Sequence, residues 1–247
     1  MQILNTIYKI QDFISTQKKI GKTIGFVPTM GALHQGHLSL IEKATQENDI
    51  VVSSVFVNPI QFNNKEDLKK YPRNINSDAT MLEQHGCDIL FAPTTEEMYP
   101  EEPDETYEFG ALGNVMEGKF RPGHFNGVAT VVHKLFDIVK PNNSYFGEKD
   151  FQQLAIIQHL VKQKNIDVNV IGCDIIREKD GLAMSSRNTR LLDDERKIAP
   201  RIYEILKQSA EKKATNSVQE TILFVKNEIK KISEFQLEYF EIVDSTT

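Results

Sequence analysis

The sequence predicts an α/β fold built on a doubly wound parallel sheet, followed by a smaller α+β domain. Three observations carry this expectation. Short, nearly all-apolar runs rich in β-branched residues recur through the first two-thirds of the 247 residues, as strands buried on both faces require. Between them lie segments with apolar residues at helical spacing. After Asp174 the alternation gives way to two charged helical stretches and one segment of alternating polarity. The first pattern defines an expected domain at 1–174 and the second a domain at 175–247.

Residues 3–19 read as one amphipathic helix, with Ile7, Ile10, Phe13 and Ile14 on one side. Residues 23–27 (TIGFV) follow as a buried strand and 38–44 as a helix. Residues 49–57 (DIVVSSVFV) form the most apolar run and predict a central strand, which 58–62 leaves as a loop. A short helix at 77–85 is closed by Gly86. Residues 88–92 make a further strand, and the acidic, proline-containing 96–105 a surface loop. Residues 118–126 are a polar loop punctuated by glycine. A helix at 128–139 places Val132, Leu135, Phe136 and Val139 on one side and ends at Pro141. Strand 144–147, helix 150–163 and strand 165–173 complete the series. Right-handed connections put all these strands in one parallel, Rossmann-like sheet. In the second domain a strand-like 174–177 leads to helices near 193–213 and 217–231, the first interrupted at Pro200. Residues 235–243 alternate as a half-exposed strand.

Composition narrows the class of function. Hydrophobic residues make up 40% and charged residues 26% of the chain, an ordinary balance for a globular protein. The net charge of -6 argues against a nucleic-acid-binding surface. No apolar run approaches the ~20 residues of a membrane span, and the N-terminus lacks the basic-then-apolar pattern of a signal peptide. The two cysteines, Cys87 and Cys173, are far apart and read as reduced thiols. These features predict a cytoplasmic protein acting on small molecules, with neither nucleic acid nor membrane as partner.

The densest chemistry is the stretch Pro28-Thr29-Met30-Gly31-Ala32-Leu33-His34-Gln35-Gly36-His37. It stands where a parallel strand hands over to a helix N-terminus, the crevice in which open α/β sheets bind ligands. Unpaired N–H groups and the helix dipole there suit a phosphate. His34 and His37, three residues apart, share one side of a turn; packing or metal binding would equally use such a pair. Gly147-Glu148-Lys149-Asp150 occupies a second strand-to-helix junction. Lys149 there is either a phosphate ligand or a solvated lysine of a plain turn. Met184-Ser185-Ser186-Arg187-Asn188 offers two hydroxyls and a guanidinium, fit to grip a triphosphate or, for the serines, to cap a helix. Gln61, Gln153 and Asn58 are uncharged amides suited to hydroxyl and carboxylate groups. Arg121-Pro122-Gly123-His124 is a candidate site loop or a turn. Asp78 is a weak candidate for a metal held by phosphates; its plainer role is that of a first-turn helix acid.

Taken in order, these motifs resemble the pantoate–β-alanine ligase family. The resemblance adds Phe56-Val57-Asn58-Pro59-Ile60-Gln61-Phe62, Tyr71-Pro72-Arg73, Gly118-x-Phe120-Arg121-Pro122-Gly123-His124-Phe125 and Gly147-Glu148-Lys149-Asp150-x-Gln152-Gln153, and runs from about Gly25 to Asn188. The His34-x-Gly36-His37 element alone would indicate only the wider nucleotidylyltransferase superfamily. The resemblance implies that pantoate is first adenylated by ATP, releasing pyrophosphate, and that β-alanine then displaces AMP. It implies ATP contacts at Met30, Gly31, Ala32, Leu33, His34, Gln35, Gly36, His37, Gly147, Glu148, Lys149, Asp150, Ile176, Met184, Ser185, Ser186 and Arg187. It implies pantoate contacts at Gln61 and Gln153, with Gln61 also meeting β-alanine. Magnesium accompanies the triphosphate, His37 matches a residue described as a proton donor, and the family is commonly homodimeric, with a sheet edge or the 58–73 region as the expected surface. Family members also continue into a further C-terminal strand, so a shortened second, lid-like domain is expected here.

A carboxylate is ionised at pH 7 and needs no base to attack phosphorus. The difficulty is bringing two anions together, so His34, His37, Lys149, Arg187 and magnesium are expected to act as a cationic cradle. Competing readings are a nucleotidylyltransferase with another small acceptor, a nucleotide-binding regulator without turnover, and a histidine metal site. The Gln61 and Gln153 pair disfavours the first, because a phosphorylated acceptor would call for added cations.

Overall fold

The computed structural model describes residues 1–244. In chain order its elements are β1 (Gln2–Leu4), α1 (Ile7–Lys19), β2 (Ile24–Thr29), α2 (Gln35–Glu47), β3 (Ile50–Val55), α3 (Lys65–Lys70), α4 (Ile75–Gln84), β4 (Ile89–Phe91), α5 (Thr95–Met98), α6 (Glu117–Phe120), α7 (His124–Val139), β5 (Asn143–Gly147), α8 (Phe151–Lys164), β6 (Asn169–Cys173), α9 (Asp193–Ile198), α10 (Arg201–Lys213) and α11 (Val218–Lys230). The chain divides into two compact units, Met1–Ile176 and Arg177–Thr247.

The first unit holds a parallel six-stranded sheet in the order β1-β4-β3-β2-β5-β6. From β2 the chain winds outward through β3 and β4, then returns to place β5 on the other side of β2. That reversal is a topological switch point, and the carboxyl ends of β2 and β5 flank the crevice it opens. Strand alternation supplies two cores. Ile24, Phe26, Ile50, Val52, Ile89 and Phe91 face α1, α7 and α8. Val27, Val51, Leu90 and Tyr145 face α2 and α4. Helix α7 is buried nearly all round, as a central helix must be. It ends where Lys140 turns left-handed (φ 47°), one residue before Pro141.

Several sequence expectations need correction. Residues 3–19 are not one helix: Gln2–Leu4 form an edge strand paired with β4, and α1 starts at Ile7. Three residues carry no readable period, and their partner lies 87 positions away at Gln2↔Ile89. The expected surface loop at 96–105 begins inside α5, which is capped by the Thr94 hydroxyl and anchors the fully buried Met98. The strand-like 174–177 forms only a single antiparallel bridge, Arg177↔Ala183. Residues 235–243 form no strand among the described residues. Phe235, Leu237 and Phe240 pack instead on Ile205, Val225 and Ile229 of α10 and α11; alternation without a neighbouring strand cannot make a ladder.

Candidate active site

The loop after β2 is held from beneath. The Thr29 hydroxyl donates to the Ser54 carbonyl (2.7 Å) and accepts the Gly31 N–H (3.1 Å). Gly31 (φ 81°) and Ala32 (φ 51°) are both left-handed. A Cβ on Gly31 would lie 2.8 Å from Asp78 Oδ2 and 2.9 Å from Val55 Cγ1, so this glycine serves the loop's own packing. Asp78, 1% exposed in the first turn of α4, accepts the Ala32 N–H at Oδ2 (3.0 Å) and the Leu33 N–H at Oδ1 (2.8 Å). Its carboxylate offsets the strain of left-handed Ala32. With each oxygen accepting a backbone N–H, Asp78 anchors the loop. No group of three His, Cys, Asp or Glu side chains suited to a metal occurs among the described residues. A cavity of about 290 Å³ borders the loop at Met30 and Gly31 and extends to Arg73 and Thr94.

The held loop delivers His34 to the N-cap of α2. His34 Nδ1 accepts the Gly36 N–H (3.1 Å), and His37 Nδ1 accepts the His34 N–H (3.3 Å), a reciprocal cap. The rings lie 4.0 Å apart between centroids. An Nδ1 that accepts leaves the hydrogen on Nε2, so each ring offers an Nε2–H donor. Burial, then His34 and Lys149, push His37 down to about 3. Burial, then Lys149, lowers His34. Both imidazoles are therefore neutral at pH 7. Imidazolium is disfavoured in a partly dry site next to Lys149, which favours hydrogen-bond donation over full positive charge at these two rings. Lys149, on the 3-10 turn Glu148–Asp150, pairs with Asp150 (2.9 Å) at a part-exposed position, a weak tie that a phosphate can displace.

The amides sit on scaffolds of different kinds. Gln61 ends the 3-10 turn Pro59–Gln61. Its Oε1 accepts Asn58 Nδ2 (3.1 Å) and its Nε2 points to Met30 Sδ (2.9 Å). Asn58, 1% exposed, also donates to the Gly127 carbonyl (3.1 Å) and accepts the Tyr99 hydroxyl (3.1 Å). Gln153 is half-buried in the first turn of α8. Its neighbour Gln152 is buried, donates to the Leu112 and Val115 carbonyls (2.8 and 2.9 Å), and accepts the Glu117 N–H (3.1 Å). Gln152 thereby ties the segment before α6 to α8.

In the first unit, the structure thus brings His34, His37 and Lys149 together, and Met30 to Gln61. Ile176 ends that unit. Met184, Ser185, Ser186 and Arg187 belong to the second unit, where Ser185 Oγ accepts the Arg187 N–H (3.2 Å) and caps the 3-10 turn Ser186–Arg190. The preceding turn rests on Tyr203: Arg177 stacks over its ring at 3.7 Å, and a Cβ on Gly181 (φ 92°) would lie 2.5 Å from Tyr203 Cδ1. Sequence reasoning missed the supporting roles of Asp78, Gln152, Gly127 and Tyr203. Gly127 lies just outside the apolar helix pattern at 128–139, so its close approach to a neighbouring segment left no local signal.

Comparisons with known proteins agree with one another. The sequence profile described as pantoate-beta-alanine ligase matches residues 2–247. A pantothenate synthetase of Bacteroides fragilis is 52% identical over 247 residues, covering 100% of this chain and 88% of the relative. One of Porphyromonas gingivalis is 50% identical with the same coverage. The crystal structure of pantothenate synthetase from Thermus thermophilus superposes with a TM-score of 0.93 at 43% identity, covering 99% of this chain and 88% of that one. A pantoate-beta-alanine ligase from Francisella tularensis, complexed with beta-gamma ATP and beta-alanine, gives 0.84 at 43% identity, covering 93% and 86%.

Proposed function

The chain belongs to the pantoate–β-alanine ligase family, and from that premise we propose a division of labour among its residues. The enzyme condenses pantoate with β-alanine using ATP. In the proposed first step a pantoate carboxylate oxygen bonds to the α-phosphorus of ATP, the bond to the bridging oxygen breaks, and pyrophosphate leaves. In the second, the β-alanine amine attacks the acyl carbon, AMP leaves and the amine proton is lost to solvent.

The observation that carries this assignment is the reciprocally capped His34–His37 pair at the α2 N-terminus beside Lys149. Two Nε2–H donors and the helix dipole stabilise charge that develops on the phosphates. They do so without a proton transfer that an ionised carboxylate does not need. Lys149 supplies full charge in the first unit, and Arg187 is assigned the same task from the second. Met30, Gly31, Ala32, Leu33, Gln35, Gly36, Gly147, Glu148, Asp150, Ile176, Met184, Ser185 and Ser186 complete the assigned nucleotide contacts. Gln61 and Gln153 orient pantoate by neutral hydrogen bonds, and Gln61 also meets β-alanine. Magnesium bound with the triphosphate supplies charge neutralisation. Among the described residues no three His, Cys, Asp or Glu side chains are grouped to hold a metal, so phosphate oxygens and water would supply most of that ion's ligands. A cytoplasmic homodimer is the working state. No helix among the described residues is long and apolar enough to cross a membrane.

The test is AMP formation by the purified protein in the presence of magnesium. We expect it to require ATP, D-pantoate and β-alanine together, with one equivalent of pantothenate per AMP. Multiple turnovers of adenylyl transfer to pantoate without β-alanine would instead support a plain nucleotidylyltransferase.

A further inference from the structure

We infer that His124 and Gly127, at the start of α7, are positioning residues for Gln61. The inference rests on the assignment of Gln61 to pantoate. The turn that carries Gln61 is docked on α7 through its backbone. The Gln61 carbonyl accepts a hydrogen bond from His124 Nδ1 (2.8 Å); since a carbonyl only accepts, this ring carries its hydrogen on Nδ1. Asn63 Nδ2 donates to the Pro122 carbonyl, a second tie between the same two segments. Beneath the turn, a Cβ on Gly127 would lie 2.6 Å from the Ile60 carbonyl oxygen, 2.7 Å from Gln61 Cα and 2.9 Å from Gln61 N. All three atoms are backbone, so no side-chain rotation relieves the clash. Gly127 is at ordinary helical φ and is set apart only by this approach. Its carbonyl meanwhile receives Asn58 Nδ2, and Asn58 holds the Gln61 carboxamide. Main chain and side chain of Gln61 are therefore both referenced to one turn of α7. The chemistry outlined above leaves His124 without another task.

The experiment measures pantoate KM, ATP KM and kcat for pantoate-dependent pyrophosphate release. Losing the His124 bond shifts Gln61 without removing it, so His124→Ala should raise pantoate KM roughly 3- to 10-fold, with kcat and ATP KM within about twofold. His124→Asn places an N–H donor at the same branch point as Nδ1 and should restore pantoate KM. His124→Gln places its donor one bond farther and should not. Gly127→Ala, which forces the turn off the helix, should raise pantoate KM at least as much as His124→Ala. A general folding defect would move all three constants and would not separate Asn from Gln. Wild-type pantoate KM in His124→Ala, equal values for Asn and Gln, or a matching rise in ATP KM overturns the inference. Gln61→Ala run alongside identifies the source of a failure. If it raises pantoate KM while His124→Ala does not, only the positioning role is lost; if it leaves pantoate KM unchanged, the assignment of Gln61 is itself wrong.

Discussion

His37 marks the difference between naming a residue and knowing its state. Its position was legible from the strand, the two glycines and the three-residue spacing to His34. Its protonation was not, because that depends on burial and on Lys149, 112 residues away in sequence. A neutral Nε2–H donor can be imitated by a carboxamide, whereas an imidazolium or an acid cannot. His37→Gln should therefore retain about tenfold or more of the adenylation rate left in His37→Ala, the worth of one hydrogen bond to a charged oxygen. Pantoate-dependent pyrophosphate exchange measures it, and equal losses in the two variants would refute the neutral-donor role. Asp78 shows the reverse case. As a first-turn acid it was read correctly in place, but its two backbone acceptor bonds to Ala32 and Leu33 follow only from the packing of α4 against the β2 loop.

At the level of elements, legibility followed length and periodicity. Strands β2 and β3 and helices α2, α7, α8 and α11 had long apolar patterns and lie close to where those patterns place them. The start of α7 was missed by four residues, because His124, Asn126 and Gly127 look like loop composition. They are helical because Gly123 takes a left-handed φ of 81° and Phe125 and Val128 reach the core. The tie at Gln152 is likewise tertiary: one buried amide satisfies three backbone groups, two before α6 and one at its first residue. Gln152→Ala leaves those groups unpaired, at about 1–3 kcal/mol. Amide hydrogen exchange across 112–117 should accelerate well beyond that of the central sheet. Exchange there that matches the wild type would show that Gln152 does not hold the segment.

For the whole molecule, the histidine pair couples site chemistry to stability. Both rings have folded pKa values below their ordinary 6.5, so the unfolded chain binds protons that the folded chain excludes. Their contribution is complete above about pH 6.5 and is lost as pH falls toward the folded value near 3. Urea unfolding at pH 7 and pH 5 should differ by about 1–2 kcal/mol from this source, the lower figure applying where a ring keeps solvent contact. His37→Gln should flatten that slope; an unchanged slope would mean that the ring is not held neutral. By itself the sequence determined the α/β class, the parallel sheet and the position of nearly every chemical motif. Each of those depends on local periodicity or on residue types at short spacing. Only the tertiary structure decided the edge strand β1, the burial of His34 and His37, the anchoring role of Asp78 and the seat of Gln61 on α7. Pairing partners, desolvation and close backbone approach are set by residues far apart in the chain, and no local pattern records them.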